Sequence, residues 1–412
     1  MEVDDSKIRR GDPEFRRASL AMFAAGVSTF VLLYATQPLL PLLARDFHVS
    51  PAGSSLTLAL TTGTLALALL PAGWLSDAWG RGRVMGLALF LSALLGLAAA
   101  AAPSFAVLLI LRALQGIALA GVPAVGMAYL AEEIEPGSLG SSIGLYIGGN
   151  ALGGMSGRLI AGGLADGGDW RLALLGVAVL SLGCALVFAR LAPASRHHTP
   201  HRFAISRAVS SLSVHLRDRG QLSLEAMAAL LMGTFVAVYN GVGFRLEARP
   251  YDLGQAAVAA IFLVYPIGSL SSAVAGRLAD RLGRRRVLPA GVLIAAAGVA
   301  VTLLHPLPLV VAGIALLTIG FFAAHSVASS WVGRRARTAQ AQASALYLFA
   351  YYLGSTVAGP LGGTAWSAGR WPDVTLLAEI LLAIAFAVAL RLRVTPPLSV
   401  MAGDRRSAHS PA

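Results

Sequence analysis

Long apolar stretches, separated by short polar segments, recur along almost the whole chain. Each is about 20 residues long, which is the length a helix needs to cross the roughly 30 Å of hydrocarbon in a bilayer. They lie at 18–41, 54–75, 84–102, 105–130, 140–164, 171–190, 223–244, 256–279, 287–304, 308–331, 341–366 and 373–394. The pattern leaves no room for a separate soluble domain and predicts an all-α membrane protein with twelve transmembrane helices.

The composition supports a lipid environment. Of 412 residues, 56% are apolar and only 13% are charged, with a mean hydropathy of +0.71. Soluble domains carry about 25% charged residues, so the chain is too apolar for that class. The single cysteine, Cys184, lies in the sixth span, and no intrachain disulfide can form.

The net charge of +12 raises the question of a nucleic-acid partner, which would require a clustered basic surface. Most of the 32 Lys and Arg residues instead fall in the two termini and in alternate loops. This is the positive-inside pattern, and the acidic loop around Glu132, Glu133 and Glu135 is its one exception. We therefore predict cytoplasmic termini, a bacterial inner membrane, contact with anionic lipid, and no nucleic-acid partner.

A repeat divides the chain into two halves. GWLSDAWGRGRV at 73–84 and GRLADRLGRRRV at 276–287 align at an offset of 203, and each closes the second span of its half. The predicted parts are a cytoplasmic tail at 1–17, a six-helix bundle at 18–190, a linker at 191–222, a second bundle at 223–394 and a tail at 395–412. In parallel-repeat transporters the substrate site lies between the halves, which rock to alternate access.

Three motifs carry a resemblance to a known family. They are the repeated Gly-x-Leu-x-Asp-x-x-Gly-Arg-x-Arg, RALQG at 112–116 and the glycine-rich GGNALGGMSGRLIAGG at 148–163. With them the chain resembles the major facilitator superfamily over its full length. The resemblance implies two pseudo-symmetric six-helix bundles, secondary transport by alternating access and no cofactor. Segments 32–43, 155–159, 321–331 and 346–355 look closest to a bacterial inner-membrane transporter of uncertain substrate.

The glycine-rich stretch resembles the antiporter motif of drug exporters with one departure. Arg158 stands where that motif would have a proline after glycine. This departure weakens a simple drug-exporter assignment.

The repeated loops contain candidate gating residues. A carboxylate at a helix end can pair with a nearby arginine, and contacts of about 1 kcal/mol bias an equilibrium without locking it. The alternative is a tight turn that only sets topology. The candidates are Gly73, Asp77, Gly80, Arg81, Arg83, Glu132, Gly276, Asp280, Gly283 and Arg284.

Two arginines are predicted inside the hydrocarbon, where a cation is costly unless it faces a cavity or a partner. Arg112 has Gln115 on its helix face, and Arg158 has Asn150. Both are predicted to line a cavity for an anionic or polar solute, and the alternative is that each binds backbone carbonyls at a helix break. Further candidates for the pathway, each of which could instead be packing, are Tyr34, Gln37, Tyr239, Asn240, Tyr265, His325, Tyr347 and Tyr351.

Proton coupling requires a titrating group. The candidates are Asp46, Glu225, His325 and Glu379, although a lone membrane histidine is more often a packing residue. His197, His198 and His201 lack acidic or cysteine companions, so we expect a solvated linker and no metal.

These features predict a monomeric transporter that exports a small organic solute in exchange for protons. Uptake of an anionic or polar metabolite by symport and a non-transporting sensor or scaffold remain alternatives. An enzyme is disfavoured because no nucleophile, base and oxyanion donors converge, and no nucleotide-binding GxxxxGK[ST] loop is present.

Overall fold

The computed structural model describes residues 7–197, 215–336 and 340–395, and these residues form helices joined by short loops. An isolated bridge between Ile8 and Ile134 is the only β-type pairing among them. The helices are α1 Pro13–Leu33, α2 Leu40–Asp46, α3 Pro51–Trp79, α4 Arg81–Ala100, α5 Phe105–Leu119, α6 Gly126–Glu133, α7 Pro136–Leu164, α8 Trp170–Leu191, α9 Arg219–Glu247, α10 Gln255–Ala259, α11 Tyr265–Leu282, α12 Arg284–Val301, α13 Leu307–Arg335 and α14 Gln340–Val394. A 3₁₀ helix, Ala260–Val264, joins α10 to α11.

Each predicted span coincides with one of these helices, with part of one, or with a pair separated by a break. The first span breaks between α1 and α2, and the fourth between α5 and α6. The last two spans run together as α14, whose backbone leaves the helical conformation at Gly369 and Arg370. Eight segments of the described chain are long and apolar enough by themselves to cross a membrane. The all-α prediction is confirmed.

Large apolar side chains point outward from these helices. Leu67 is 67% exposed, and Ile110 and Leu270 are similarly uncovered. In water, apolar surface this extensive would drive aggregation, whereas in lipid it is the favourable solvent contact. The molecule is a multi-pass membrane protein.

The chain folds as two compact units. The first comprises Met1–Phe203, Val236–Pro266 and Ser355–Thr375, and the second comprises Ala204–Phe235, Ile267–Gly354 and Leu376–Ala412. The first unit thus contains residues from both halves of the sequence. The boundaries at 18–190, 191–222 and 223–394 stay predictions, and 198–214 of the linker lies outside the described residues.

In the first unit, α7 packs against α1 through glycines spaced four residues apart. A Cβ atom on Gly153 would lie 2.5 Å from the carbonyl oxygen of Val27, and one on Gly157 would lie 2.8 Å from the Cα of Val31. Any side chain at these positions would force the helices apart. Close backbone approach is how membrane helices gain packing energy without a hydrophobic driving force.

We expect Gly153→Ala to destabilise the protein by about 1–3 kcal/mol, because the added methyl group overpacks the α1–α7 contact. The measurement is the unfolding temperature of purified protein in detergent. Gly148→Ala on the same helix is the control, since its Cβ would meet nothing within 4 Å. Equal unfolding temperatures for the two variants would contradict the packing role.

Candidate functional site

The first transmembrane span is interrupted in its last third. Helix α1 ends at Leu33 and α2 begins at Leu40. Pro38 has no backbone N–H and disfavours the helical conformation at Gln37, so the chain turns here. The last carbonyls of α1 lose their intrahelical partners and need donors from elsewhere. Pro38 is the sequence signal for this break. The hydropathy pattern did not reveal it, because the residues on both sides are apolar.

Arg112 supplies those donors. Its Nη1 donates to the carbonyl of Leu32 at 3.1 Å, and its Nη2 donates to that of Leu33 at 3.0 Å. Its Nε donates to the carbonyl of Thr57 on α3 at 3.1 Å, and Nη1 also binds Gln115 Oε1. Arg112 is 1% exposed, and every guanidinium nitrogen has an acceptor. This geometry matches the helix-break alternative considered for Arg112.

Arg158 also contacts the segment between α1 and α2, but not all of its N–H donors are used. Its Nε donates to Gln37 Oε1 at 2.7 Å, and its Nη1 donates to the carbonyl of Gly154 at 2.6 Å. Its Nη2 makes no hydrogen bond to any residue that the structure describes. The residue as a whole is 2% exposed.

Aromatic rings surround the Arg158 guanidinium. Its Cζ lies 4.1 Å from the ring centroid of Tyr34, 4.8 Å from that of Phe262 and 4.9 Å from that of Tyr265. Cation–π contacts of this kind are worth about 2 kcal/mol when desolvated, which offsets part of the cost of burial. Phe262 belongs to the 3₁₀ helix, and the sequence offered no signal that separates it from ordinary apolar packing.

The hydrogen bonds of Gln37 have a fixed direction. Because arginine only donates, Gln37 must present its oxygen to Arg158 and its nitrogen to Asn240 Oδ1, at 2.9 Å. That leaves the buried Asn240 Nδ2 without an acceptor among the described residues. We call Tyr34, Gln37, Arg158, Asn240, Phe262 and Tyr265 the Arg158 cluster.

Tyr239 borders the Arg158 cluster. Its ring stacks on Phe262 at 5.3 Å and meets Tyr265 edge-on at 5.7 Å. Asn150, also a sequence candidate, is packed against Gly26 of α1, where a Cβ atom would lie 2.5 Å from its Oδ1. The structure thus brings most candidates of the first unit around one cation.

A second aromatic cluster lies in the second unit. The Tyr347 hydroxyl lies 3.0 Å from His325 Nδ1, and Tyr351 has its ring 4.9 Å from the imidazole. The imidazole also stacks on Phe321, with centroids 5.7 Å apart. The three sequence candidates of this unit are therefore neighbours.

The proton-coupling candidates belong to both units. Asp46 accepts a 2.6 Å hydrogen bond from Trp170 Nε1 in the first unit. Glu225 and Glu379 belong to the second unit, and each has a buried Oε1 with no partner in the described part of the chain.

The first repeated loop forms a charge network. Arg81 lies 2.6 Å from Asp77 on α3 and 3.0 Å from Glu132 on α6. Gly80 turns the chain with φ of +97°, a conformation that favours glycine. Arg83 is exposed and has no carboxylate within 4 Å in the described residues.

The second repeated loop keeps the backbone of the first but changes its charges. Gly283 has φ of +84°, and Arg284 lies 3.5 Å from Asp280. A second cation, Arg334, lies 3.5 Å from the same carboxylate. Gly73 and Gly276 have open space at their Cβ positions, so packing does not require them to be glycine.

A further ion pair closes the start of α9. Arg335 donates to Asp218 through Nε at 2.6 Å and Nη2 at 2.7 Å. Burial by itself would raise the pKa of the Asp218 carboxyl, but hydrogen bonds from Arg335 and the Gly220 amide outweigh it and hold the pKa below its usual value. The pair therefore stays ionised at neutral pH and loses strength only in acid.

The opposite end of the first unit has a network that sequence reasoning missed. Arg45 at the end of α2 lies 2.5 Å from Glu247 at the end of α9. Gln255 Nε2 donates to the same carboxylate at 2.8 Å, and Asp166 accepts from the Ala256 amide at 3.0 Å. The Glu247 side chain is 9% exposed. No motif marks these residues, because they meet only when the helix ends converge.

The linker histidines are partly described. His197 Nδ1 lies 3.1 Å from the buried Glu133, while His198 and His201 lie outside the described residues. Within the described chain, no group of three His, Cys, Asp or Glu side chains is placed to hold a metal ion.

Comparison with known proteins identifies the family. The model of the Major Facilitator Superfamily matches residues 19–273 and 248–412. The chain belongs to the major facilitator superfamily. It is 46% identical to the MFS-type transporter YybF of Bacillus subtilis over 92% of this chain and 94% of that one. It is also 46% identical to the inner membrane transport protein YnfM of Escherichia coli, over 93% and 92%.

The solved structures agree on the fold. A bacterial homologue of the human lysosomal transporter Spinster, in an inward-facing and unoccupied conformation, superposes with a TM-score of 0.76 and covers 93% of this chain and 98% of that one. At 17% identity this likeness concerns the fold alone. The major facilitator fold and the transporter class are confirmed, and since members of this family are not enzymes, that prediction is confirmed as well.

We expect Arg112→Met to lower stability by about 1–3 kcal/mol or more, because the buried carbonyl of Leu33 loses its donor and those of Leu32 and Thr57 each lose one of their donors. The measurement is the unfolding temperature in detergent and the yield of monodisperse protein. Arg249→Met, at an exposed arginine in the loop after α9, is the control. Equal behaviour of the two variants would show that Arg112 does not hold the helix break.

Proposed function

We propose that this transporter exports a small organic solute bearing an anionic or strongly polar group from the bacterial cytoplasm, in exchange for protons. The observation that supports it is a pair of donors on residues that both bond to Gln37: Asn240 Nδ2, which is buried without an acceptor among the described residues, and Arg158 Nη2, which makes no hydrogen bond to them. The protein works as a monomer in the inner membrane, with both termini cytoplasmic.

The chemistry of the Arg158 cluster selects the solute. A buried guanidinium without a counter-ion gains most from a carboxylate, phosphate or sulfonate, which can accept from Nη2. The rings of Tyr34, Phe262 and Tyr265 favour an aromatic or apolar body beside that group. A cationic solute is repelled by the same charge.

Breaks in the helices supply the means of movement. The interruption after α1 and the 3₁₀ helix before α11 are discontinuities of the kind at which transporters place their substrates and hinges. Arg45 and Glu247 hold one end of the first unit closed, and Arg81 with Glu132 acts at the other. Ion pairs that contribute about 1 kcal/mol can break and re-form within a transport cycle.

Proton coupling is assigned to the set Asp46, Glu225, His325 and Glu379. Glu225 and Glu379 are favoured within it, because a buried carboxyl oxygen without a partner can exist protonated at little cost. Proton-coupled uptake of an anionic or polar metabolite uses the same residues in the other direction and is the second candidate.

We expect Arg158→Gln to reduce transport of anionic solutes about tenfold or more, because it removes a charge-assisted hydrogen bond. The measurement is counterflow in proteoliposomes with a panel of anionic, neutral and cationic aromatic dyes, with and without a pH gradient. Arg158→Lys should retain part of the anion preference, and Arg249→Gln should match the unaltered protein.

Recognition of the solute by Arg158 and coupling to protons are tested by separate outcomes. Unchanged anion preference in a well-folded Arg158→Gln protein would remove Arg158 from recognition. Transport that ignores the pH gradient would remove proton coupling, and accumulation driven inward with protons would favour uptake over export.

We expect Glu132→Gln to loosen the first repeated loop, because Arg81 loses one of its two carboxylate partners. A cysteine placed at Trp79 in a background lacking Cys184 should react a few-fold faster with a membrane-impermeant maleimide, as expected for a contact worth up to about 1 kcal/mol. Glu135→Gln, whose carboxylate lies 3.9 Å from Arg9, is the control. An unchanged labelling rate would reduce the loop to a topology signal.

A further inference from the structure

An apolar groove runs along the second unit between α11, α12 and α13. Its cavity measures about 250 Å³. Arg286 is the only charged side chain that lines it, and Ser271, the only hydroxyl, already donates to the carbonyls of Gly268 and Ile319. The groove thus offers an apolar channel with a single cation at one end.

Small residues create the groove. Gly291 lets α12 approach α13 so closely that a Cβ on it would lie 2.9 Å from the Ala324 amide nitrogen. On the facing helix α11, Val274, Leu278 and Leu282 lie on one side, spaced four residues apart, and Leu282 is 52% exposed. The groove therefore opens on the face of the second unit where the apolar side chains of α11 are exposed.

The length of the groove matches one leaflet of a bilayer. From Ser271 to Leu282 a helix rises about 16 Å, close to half of the roughly 30 Å hydrocarbon thickness. Arg286 lies in the first turn of the next helix, which begins at Arg284 just beyond Leu282, at the end that carries the repeated loop. A chain lying in the groove would reach the level of the lipid headgroups at Arg286.

Arg286 is available to bind an anion. It is exposed, and no carboxylate lies within 4 Å of it in the described residues. Its neighbours are engaged, since Arg284 faces Asp280 and Arg285 donates to the carbonyl of Thr395. The second repeated loop carries many more cations than carboxylates, so its field favours a negative headgroup.

We propose that this groove binds one acyl chain of an anionic phospholipid, with the lipid phosphate at Arg286. The apolar walls hold the chain, and the cation selects the headgroup. A zwitterionic lipid gains the chain contact but less from Arg286, because its own cation offsets the phosphate charge. A soluble phosphate gains only the contact with Arg286.

The test uses native mass spectrometry of the purified full chain with dioleoylphosphatidylglycerol or dioleoylphosphatidylcholine. The unaltered protein should retain the anionic lipid about fivefold more strongly, as expected for one arginine at the headgroup level. Arg286→Gln should abolish that preference while keeping weak binding of both lipids. Ala290→Trp, which fills the groove, should reduce binding of both.

Arg83→Gln is the matched control. Arg83 occupies the position in the first repeat that Arg286 occupies in the second, and the substitution removes the same charge. It should leave the lipid preference unchanged. Equal retention of the two lipids by the unaltered protein, or equal losses for Arg83→Gln and Arg286→Gln, would overturn the proposal. Binding of glycerol 3-phosphate as strong as that of the lipid would also overturn it. If Ala290→Trp does not fold, the Arg286→Gln result decides alone.

Discussion

The interruption of the first transmembrane helix depends on two buried arginines. Backbone carbonyls that lose their helical partners inside a membrane must find donors, and each unsatisfied group costs several kcal/mol. Arg112 meets that need from α5, and Arg158 holds the turn from α7. Without them the chain between α1 and α2 could not leave the helical path at membrane depth. The proposed substrate cluster exists because this turn exists.

The two arginines differ in how many of their N–H donors are already bound to acceptors. Arg112 uses four of its five N–H donors, with an acceptor for every nitrogen, so its main role is to stabilise the fold. Arg158 has an open Nη2 and rings on three sides. From sequence alone the two residues were equivalent, since both are cations in apolar helices at similar depth. The acceptors that separate them come from other helices, which no local pattern encodes.

The sequence predicted the fold more completely than the site. Hydropathy located all twelve spans, and the repeat at 73–84 and 276–287 located two loops whose Gly80 and Gly283 share a positive φ. Asp77, Arg81 and Glu132 were grouped as gating candidates, and Arg81 lies within ion-pair distance of both carboxylates. Phe262, Arg45 and Glu247 were not predicted, because their importance arises from helix ends and rings that meet across distant parts of the chain.

The hydrogen bonds around Gln37 have one further implication. Arg158 donates to Gln37, and Gln37 donates to Asn240, so the polarity of this short chain runs in one direction. The amides and the guanidinium of this chain act as hydrogen-bond donors and acceptors, and not as acids or bases. The Arg158 cluster therefore offers no relay for proton transfer, and any coupling to protons would depend on titratable groups elsewhere in the chain.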